Sequence, residues 1–252
     1  MARDAKGMNG MPTISKQTHT TRRALVLDNN SYFLDAVEKW AEINDIVVSA
    51  TSHSDDFFYR LAMNDDIDIV FVSYNPIWTR TLHLLDKLQR FYPDIRTVVV
   101  VDSPHTPSVI LMRSFGVNII ITKQDILSCL QKTITLDSSS LYLSPSIAGQ
   151  VDDEHIDAKH RLTHEGVMLT QMERMVLAEL SGEKTIQLIA RERGCSAKTV
   201  SQHKQNALCK MGFRKLKEVF SINSKTNMAG LIYLPATLLF CQSYLDILKF
   251  SF

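Results

Sequence analysis

Lys198, Ser201, Gln202 and Gln205 fall at i, i+3, i+4 and i+7 of one helical pattern, which puts their side chains on a single face. A glutamine amide can bond adenine through two hydrogen bonds, and a lysine ammonium can reach the acceptors of guanine. The chemistry these four residues offer is hydrogen bonding to base edges. Thr199, His203, Lys204 and Lys210 on the same segment suit backbone phosphates, contacts that set register and carry the salt dependence of binding. Taken singly, each residue reads equally as part of a solvated helix face, and His203 as a packing residue.

Such a face needs a scaffold, and the surrounding pattern supplies one. Ile186, Ile189 and Ala190 form one apolar stripe, and Val200, Ala207, Leu208 and Met211 form a second. Between them stands Arg193-Gly194-Cys195-Ser196. Gly194 can close the first helix in a left-handed conformation, and Ser196 can cap the second. Two short helices joined by a glycine turn describe a helix-turn-helix whose second helix enters a DNA major groove. The charge distribution agrees. The 252 residues carry a net charge of only +1, but residues 1–168 hold 16 basic and 21 acidic side chains whereas 169–252 hold 12 and 6. That asymmetry places a polyanion-binding surface in the second part.

The run from Leu169 to Gly212 resembles the DNA-binding domain of LuxR/NarL-type transcription regulators. Leu169, Thr170 and Glu173 match that family's opening L-T-x-x-E, followed by Val176-Leu177. Ile189-Ala190 matches its scaffold helix, and Ser196, Lys198, Thr199, Val200, His203, Lys210 and Gly212 match its recognition-helix pattern. Within the family the pattern is most similar to the RcsB branch and its auxiliary partners such as BglJ. The resemblance implies binding to double-stranded promoter DNA as a homodimer, or as a heterodimer with an RcsB-like regulator. One recognition helix alone gives little affinity, and paired half-sites are the usual remedy. The match resumes weakly at Asn227–Leu234, where the family has its dimerising helix, so residues 213–226 read as an insertion.

Upstream, short apolar runs alternate with amphipathic segments. Strands are expected at 24–28, 46–50, 67–72, 96–101 and 116–121, and helices at 31–43, 55–64, 81–91, 108–115 and 126–134. Near-continuous apolar strands interleaved with helices imply a parallel sheet covered on both faces, with its ligand edge at the strands' C-terminal ends. The expected fold is therefore α/β, a five-stranded parallel sheet with helices on both faces, followed by an all-α helix-turn-helix domain.

Five such units look like a CheY-type receiver domain with departures. The resemblance assigns Asp28-Asn29 to the acid pair, Ser73 to the phosphoacceptor aspartate, Asp102 to the Thr or Ser, and Lys123 to the lysine. Only Asp28 and Lys123 keep the family's residue type. Phosphoryl transfer here needs a carboxylate nucleophile and a magnesium ion held by oxygen ligands. Ser73 removes both the nucleophile and a ligand, and Asp102 sets negative charge where a phosphoryl oxygen would arrive. No aspartyl phosphorylation is expected. Lys123 either pairs with Asp28 or Asp102 or is solvated. A Ser-Asp-Lys hydrolase lacks a nucleophile elbow and a nearby histidine, so the chain reads as no enzyme. The stretch 105–130 is similar to the receiver face that mediates dimerisation, although a stripe such as Val109, Ile110 and Phe115 is more often core than interface.

The expected limits are an N-terminal arm at 1–21, the degenerate receiver at 22–136, a flexible linker at 137–168, the helix-turn-helix at 169–226, and a dimer helix with an apolar tail at 227–252. Residues 229–245 carry no charge. They are short of the roughly 20 apolar residues that span a bilayer and are broken by Pro235 and Gln242, so a membrane anchor is the minor reading. Cys129, Cys195, Cys209 and Cys241 show no metal-ligand spacing and read as reduced thiols. His155, His160 and His164 lie scattered among charges. No cofactor or metal is expected, and the compartment reads as cytoplasmic. A protein that sequesters a partner regulator without touching bases is the functional rival.

Overall fold

The computed structural model describes residues 23–44, 46–64, 66–75, 80–136, 140–153 and 167–220. Six parallel strands form one sheet in the order β2-β1-β3-β4-β5-β6. They are β1 Arg23–Leu27, β2 Val47–Thr51, β3 Ile67–Tyr74, β4 Arg96–Val101, β5 Ile119–Thr122 and β6 Tyr142–Leu143. Helices α1 Ser31–Ile43, α2 Ser54–Met63, α3 Arg80–Phe91, α4 Thr106–Ser114, α5 Ile126–Thr135 and α6 Pro145–Asp153 complete the module.

The two-residue period of a strand sorts its apolar side chains into two cores. Ala24, Val26, Ile69, Phe71, Val98, Val100, Ile119 and Ile121 face one way and meet Phe33, Leu34 and Val37 of α1 with Cys129, Leu130 and Ile134 of α5. Leu25, Val70, Val72, Val99, Val101 and Ile120 face the other way, toward Phe57 and Leu61 of α2, Leu85 and Leu88 of α3 and Met112 of α4. A strand buried on both faces must be apolar at every position, as Val98–Val101 is.

Two sequence expectations are corrected. The sheet has six strands, because Tyr142 and Leu143 pair with Ile119 and Ile120. The first part of the expected tether therefore belongs to the module. Ser144 Oγ accepts from the Thr122 N–H at 3.2 Å, and Ser146 donates to Asp125 through its N–H at 3.1 Å and its hydroxyl at 2.9 Å. In α6, Ile147 and Val151 bury the face they share at i, i+4 spacing.

The second part consists of α7 Gln171–Ser181, α8 Ile186–Glu192, α9 Ala197–Met211 and α10 Leu216–Phe220. Its apolar residues divide. Met175, Val176, Ile189, Ala190 and Val200 make a small local core. Leu177, Ala178, Ala207, Leu208, Met211 and Val219 join the core of the sheet's α2–α4 face.

Candidate nucleic-acid interface and sheet-edge site

Helices α8 and α9 and their turn are built as the sequence implies. Gly194 adopts φ +63°, a conformation that costs a residue without Cβ little. It lets the Cys195 N–H return to the Ala190 carbonyl at 3.0 Å. Ser196 caps α9, its Oγ accepting from the Thr199 N–H at 3.0 Å. Gly212, at φ +78°, ends the helix. Val200, Ala207, Leu208 and Met211 are buried, which turns the opposite side outward. On that side Lys198, Gln202 and Gln205 are exposed, with exposed Thr199 and half-buried Ser201 at its flanks, whereas His203 and Lys204 are half-buried beside the packed stripe. Gln202 Nε2 donates to Asn206 Oδ1 at 2.8 Å, an exposed bond that a base edge can replace.

Lys210 is placed differently. Its ammonium lies 2.7 Å from Glu173 Oε2 and ties the last turn of α9 to the first turn of α7. Glu173 is buried and also closes a capping box. Its carboxylate accepts from the Thr170 N–H at 2.8 Å, and Thr170 Oγ1 accepts from the Glu173 N–H at 3.3 Å. Burial raises the Glu173 carboxyl, but the hydrogen bonds from Lys210 and Thr170 outweigh it and leave the pKa below the ordinary value.

At the C-terminal edge of the sheet, Asp28, Ser73, Asp102 and Lys123 come together. Lys123 Nζ is 2.8 Å from Asp28 Oδ2 and 2.9 Å from Asp102 Oδ1. Ser73 Oγ donates to Asp28 Oδ2. The Asn30 N–H donates to Asp28 Oδ1 at 2.7 Å, and Asn75 Nδ2 donates to Asp102 Oδ2 at 2.9 Å. Asn29 is exposed. The Asp28 side chain is fully covered, that of Lys123 is 17% exposed, and that of Asp102 is 44% exposed. Burial works against the Lys123 charge, but Asp102 and Asp28 outweigh it and raise the amine above its usual pKa. The Lys123 ammonium thus occupies the space between the two carboxylates, where a dication would compete with it for their oxygens. Among the described residues, no group of three or more His, Cys, Asp or Glu side chains is arranged to hold a metal ion.

Residues 167–222 match the family described as bacterial regulatory proteins, luxR family. This segment is a LuxR-family domain. No curated protein matches the chain in sequence. Among solved structures, RcsB from Salmonella enterica serovar Typhimurium bound to promoter rprA in the presence of phosphomimetic BeF3− is similar with a TM-score of 0.53 and 17% identity, over 80% of this chain and 99% of that one. The same protein bound to promoter P1flhDC gives 0.52 and 17% identity over 80% and 98%. An RcsB–DNA complex gives 0.50 and 17% over 80% and 100%. At that identity the likeness is one of fold: a receiver-like sheet followed by a LuxR-type helical region.

The LuxR-family match continues to residue 222 and so takes in most of the stretch expected to be an insertion. Its described part, 213–220, contains α10, whose Val219 is buried in the shared core. The L-T-x-x-E opening gains a physical meaning, since its Thr and Glu are the capping box and its Glu holds Lys210. The asparagine at the sheet edge, Asn75, was missed, as was the pairing of Arg174 with Asp86 at 3.2 Å. The dimer helix, the apolar tail, Cys241 and the three scattered histidines lie outside the described residues. Among the described residues, no helix is long and apolar enough to cross a membrane.

Proposed function

We propose that this chain is a DNA-binding transcription regulator of the LuxR/NarL type that works without aspartyl phosphorylation, as a dimer or with an RcsB-like partner. The observation that carries the reading is the capped α9 of the LuxR-family domain, which buries its apolar stripe and leaves Lys198, Gln202 and Gln205 outward. Those three, with Ser201, are assigned to base edges, and Thr199, His203 and Lys204 to phosphates. Lys210 drops out of the phosphate set because Glu173 holds its ammonium. The similar RcsB structures were captured on promoter DNA with a phosphomimetic. In this chain Lys123 stands between the two carboxylates of the corresponding edge, which supports independence from phosphorylation.

Titrating the full chain against promoter-length duplexes by fluorescence anisotropy tests the reading. The double charge reversal Lys198→Glu/Lys204→Glu should cost at least tenfold in affinity, about 1.4 kcal/mol, and flatten the salt dependence. A protein that only sequesters a partner regulator would keep its partner binding after this change and show no duplex binding before it.

A further inference from the structure

We infer that the receiver-like module is the permanent seat of the recognition helix, and that Asp86 is a positioning residue for the DNA-binding surface. This rests on the function proposed above. Helix α3 lies along α7 in the opposite direction, with Asp86 against Arg174 and His83 against Glu179. The Asp86 and Arg174 side chains are 10% and 14% exposed, with Nε and Oδ1 3.2 Å apart. Glu173 and Arg174 are neighbours in sequence with separate tasks. Glu173 grips Lys210 of α9 at 2.7 Å, and Arg174 grips Asp86 of the sheet module. Arg174 Nη1 also donates to the Leu169 carbonyl at 2.8 Å, and the Leu169 N–H donates to the Ser114 carbonyl of α4 at 3.0 Å. Ser114 Oγ reaches Met211 Sδ, in the last turn of α9, at 3.3 Å.

The apolar packing follows the same path. Leu177, Ala178, Ala207, Leu208, Met211 and Val219 belong to one continuous core with residues of α2, α3 and α4. Parting the modules would expose those side chains and leave Asp86, among the described residues, with the more distant Arg90 at 3.8 Å. The docked arrangement keeps Lys198, Gln202 and Gln205 exposed, so the contact supports the reading face rather than covering it. A module without phosphoryl chemistry then has a use. It fixes the angle at which α9 is presented.

The test uses the full chain as wild type, Asp86→Arg, Arg174→Asp and the double swap Asp86→Arg/Arg174→Asp. Amide hydrogen exchange is read without DNA, and duplex affinity is read separately. Each single reversal should raise exchange across 171–181 and 197–211 and weaken duplex binding on the order of tenfold, and the swap should recover most of both. Singles that exchange and bind as wild type, or a swap no better than the singles, overturn the inference. If wild type binds no duplex, the function proposed above fails, while the exchange pattern still decides whether Asp86 seats the helix.

Discussion

Lys123 and Asp28 form an ion pair of 2.8 Å in which the carboxylate is fully covered and the ammonium nearly so. Removing one partner of a buried pair leaves the other charged without compensation, a loss of about 3–5 kcal/mol, whereas removing both is far milder. The Lys123 pKa is raised, so its stabilisation is complete at neutral pH and fades only as pH climbs through the raised value. Lys123→Met should therefore lower the thermal midpoint at neutral pH by roughly 2–4 °C per kcal/mol lost. Lys123→Met/Asp28→Asn should recover much of that loss. An unchanged midpoint in the single variant would show that the pair carries no structural load.

The same edge predicts chemical silence toward phosphoryl donors. Incubation with acetyl phosphate and magnesium should leave the intact mass unchanged, because Ser73 offers a hydroxyl already donated to Asp28 and Lys123 holds the space between the carboxylates. Ser73→Asp should not restore labelling, since it crowds a third carboxylate around one ammonium. That variant should also lose about 1–3 kcal/mol of stability from the lost hydrogen bond and like-charge contact. A phosphoryl adduct on wild type, mapped to the sheet edge, would reinstate the ordinary receiver mechanism.

What the sequence disclosed and what it hid differ in kind. Val98–Val101 and Ile119–Ile121 announce buried parallel strands because burial on both faces leaves no polar position. The stripe Val200, Ala207, Leu208, Met211 announces α9 for the same reason at helical period. Strand β6 is two residues long, below any periodic signal, and is held by Ser144 and Ser146 hydrogen bonds to residues more than twenty positions away. The Asp86–Arg174 bond spans 88 positions and is visible only once α3 and α7 lie together. Lys123 stood open between pairing and solvation until the parallel strand ends brought both carboxylates to it. Lys210 has a helical position right for phosphate, while its pairing with the buried Glu173 of another helix leaves no mark in the sequence.

Lys198 and Lys210 should therefore separate binding from folding. Lys198 is exposed, so Lys198→Ala should leave the urea midpoint within about 0.5 kcal/mol of wild type and weaken duplex binding several-fold, with a shallower salt slope. Lys210→Met strips a buried carboxylate of its cation and should cost about 1.5–3 kcal/mol. Paired urea melts and anisotropy titrations on both variants check this. Equal urea midpoints for the two variants would contradict the geometry.

Acid should loosen the LuxR-family domain through its two buried, depressed carboxylates. Glu173 is held down by Lys210 and Thr170, and Glu179 by Lys184, His83 and Arg193, in each case against the upward push of burial. A carboxyl depressed in the folded state binds its proton more readily when unfolded. Its stabilisation is therefore complete well above the ordinary value of 4.5 and drains away as pH falls through the lower folded value. Urea midpoints should thus stay level near neutrality and drop progressively below about pH 5. Glu173→Gln removes one of the two sources. At pH 7 it should be less stable than wild type by about 1.5–3 kcal/mol, and the gap should close as acid neutralises the native glutamate. A gap that stayed constant from pH 7 down to pH 3 would mean that charge at Glu173 contributes nothing and that its buried bonds act as neutral ones.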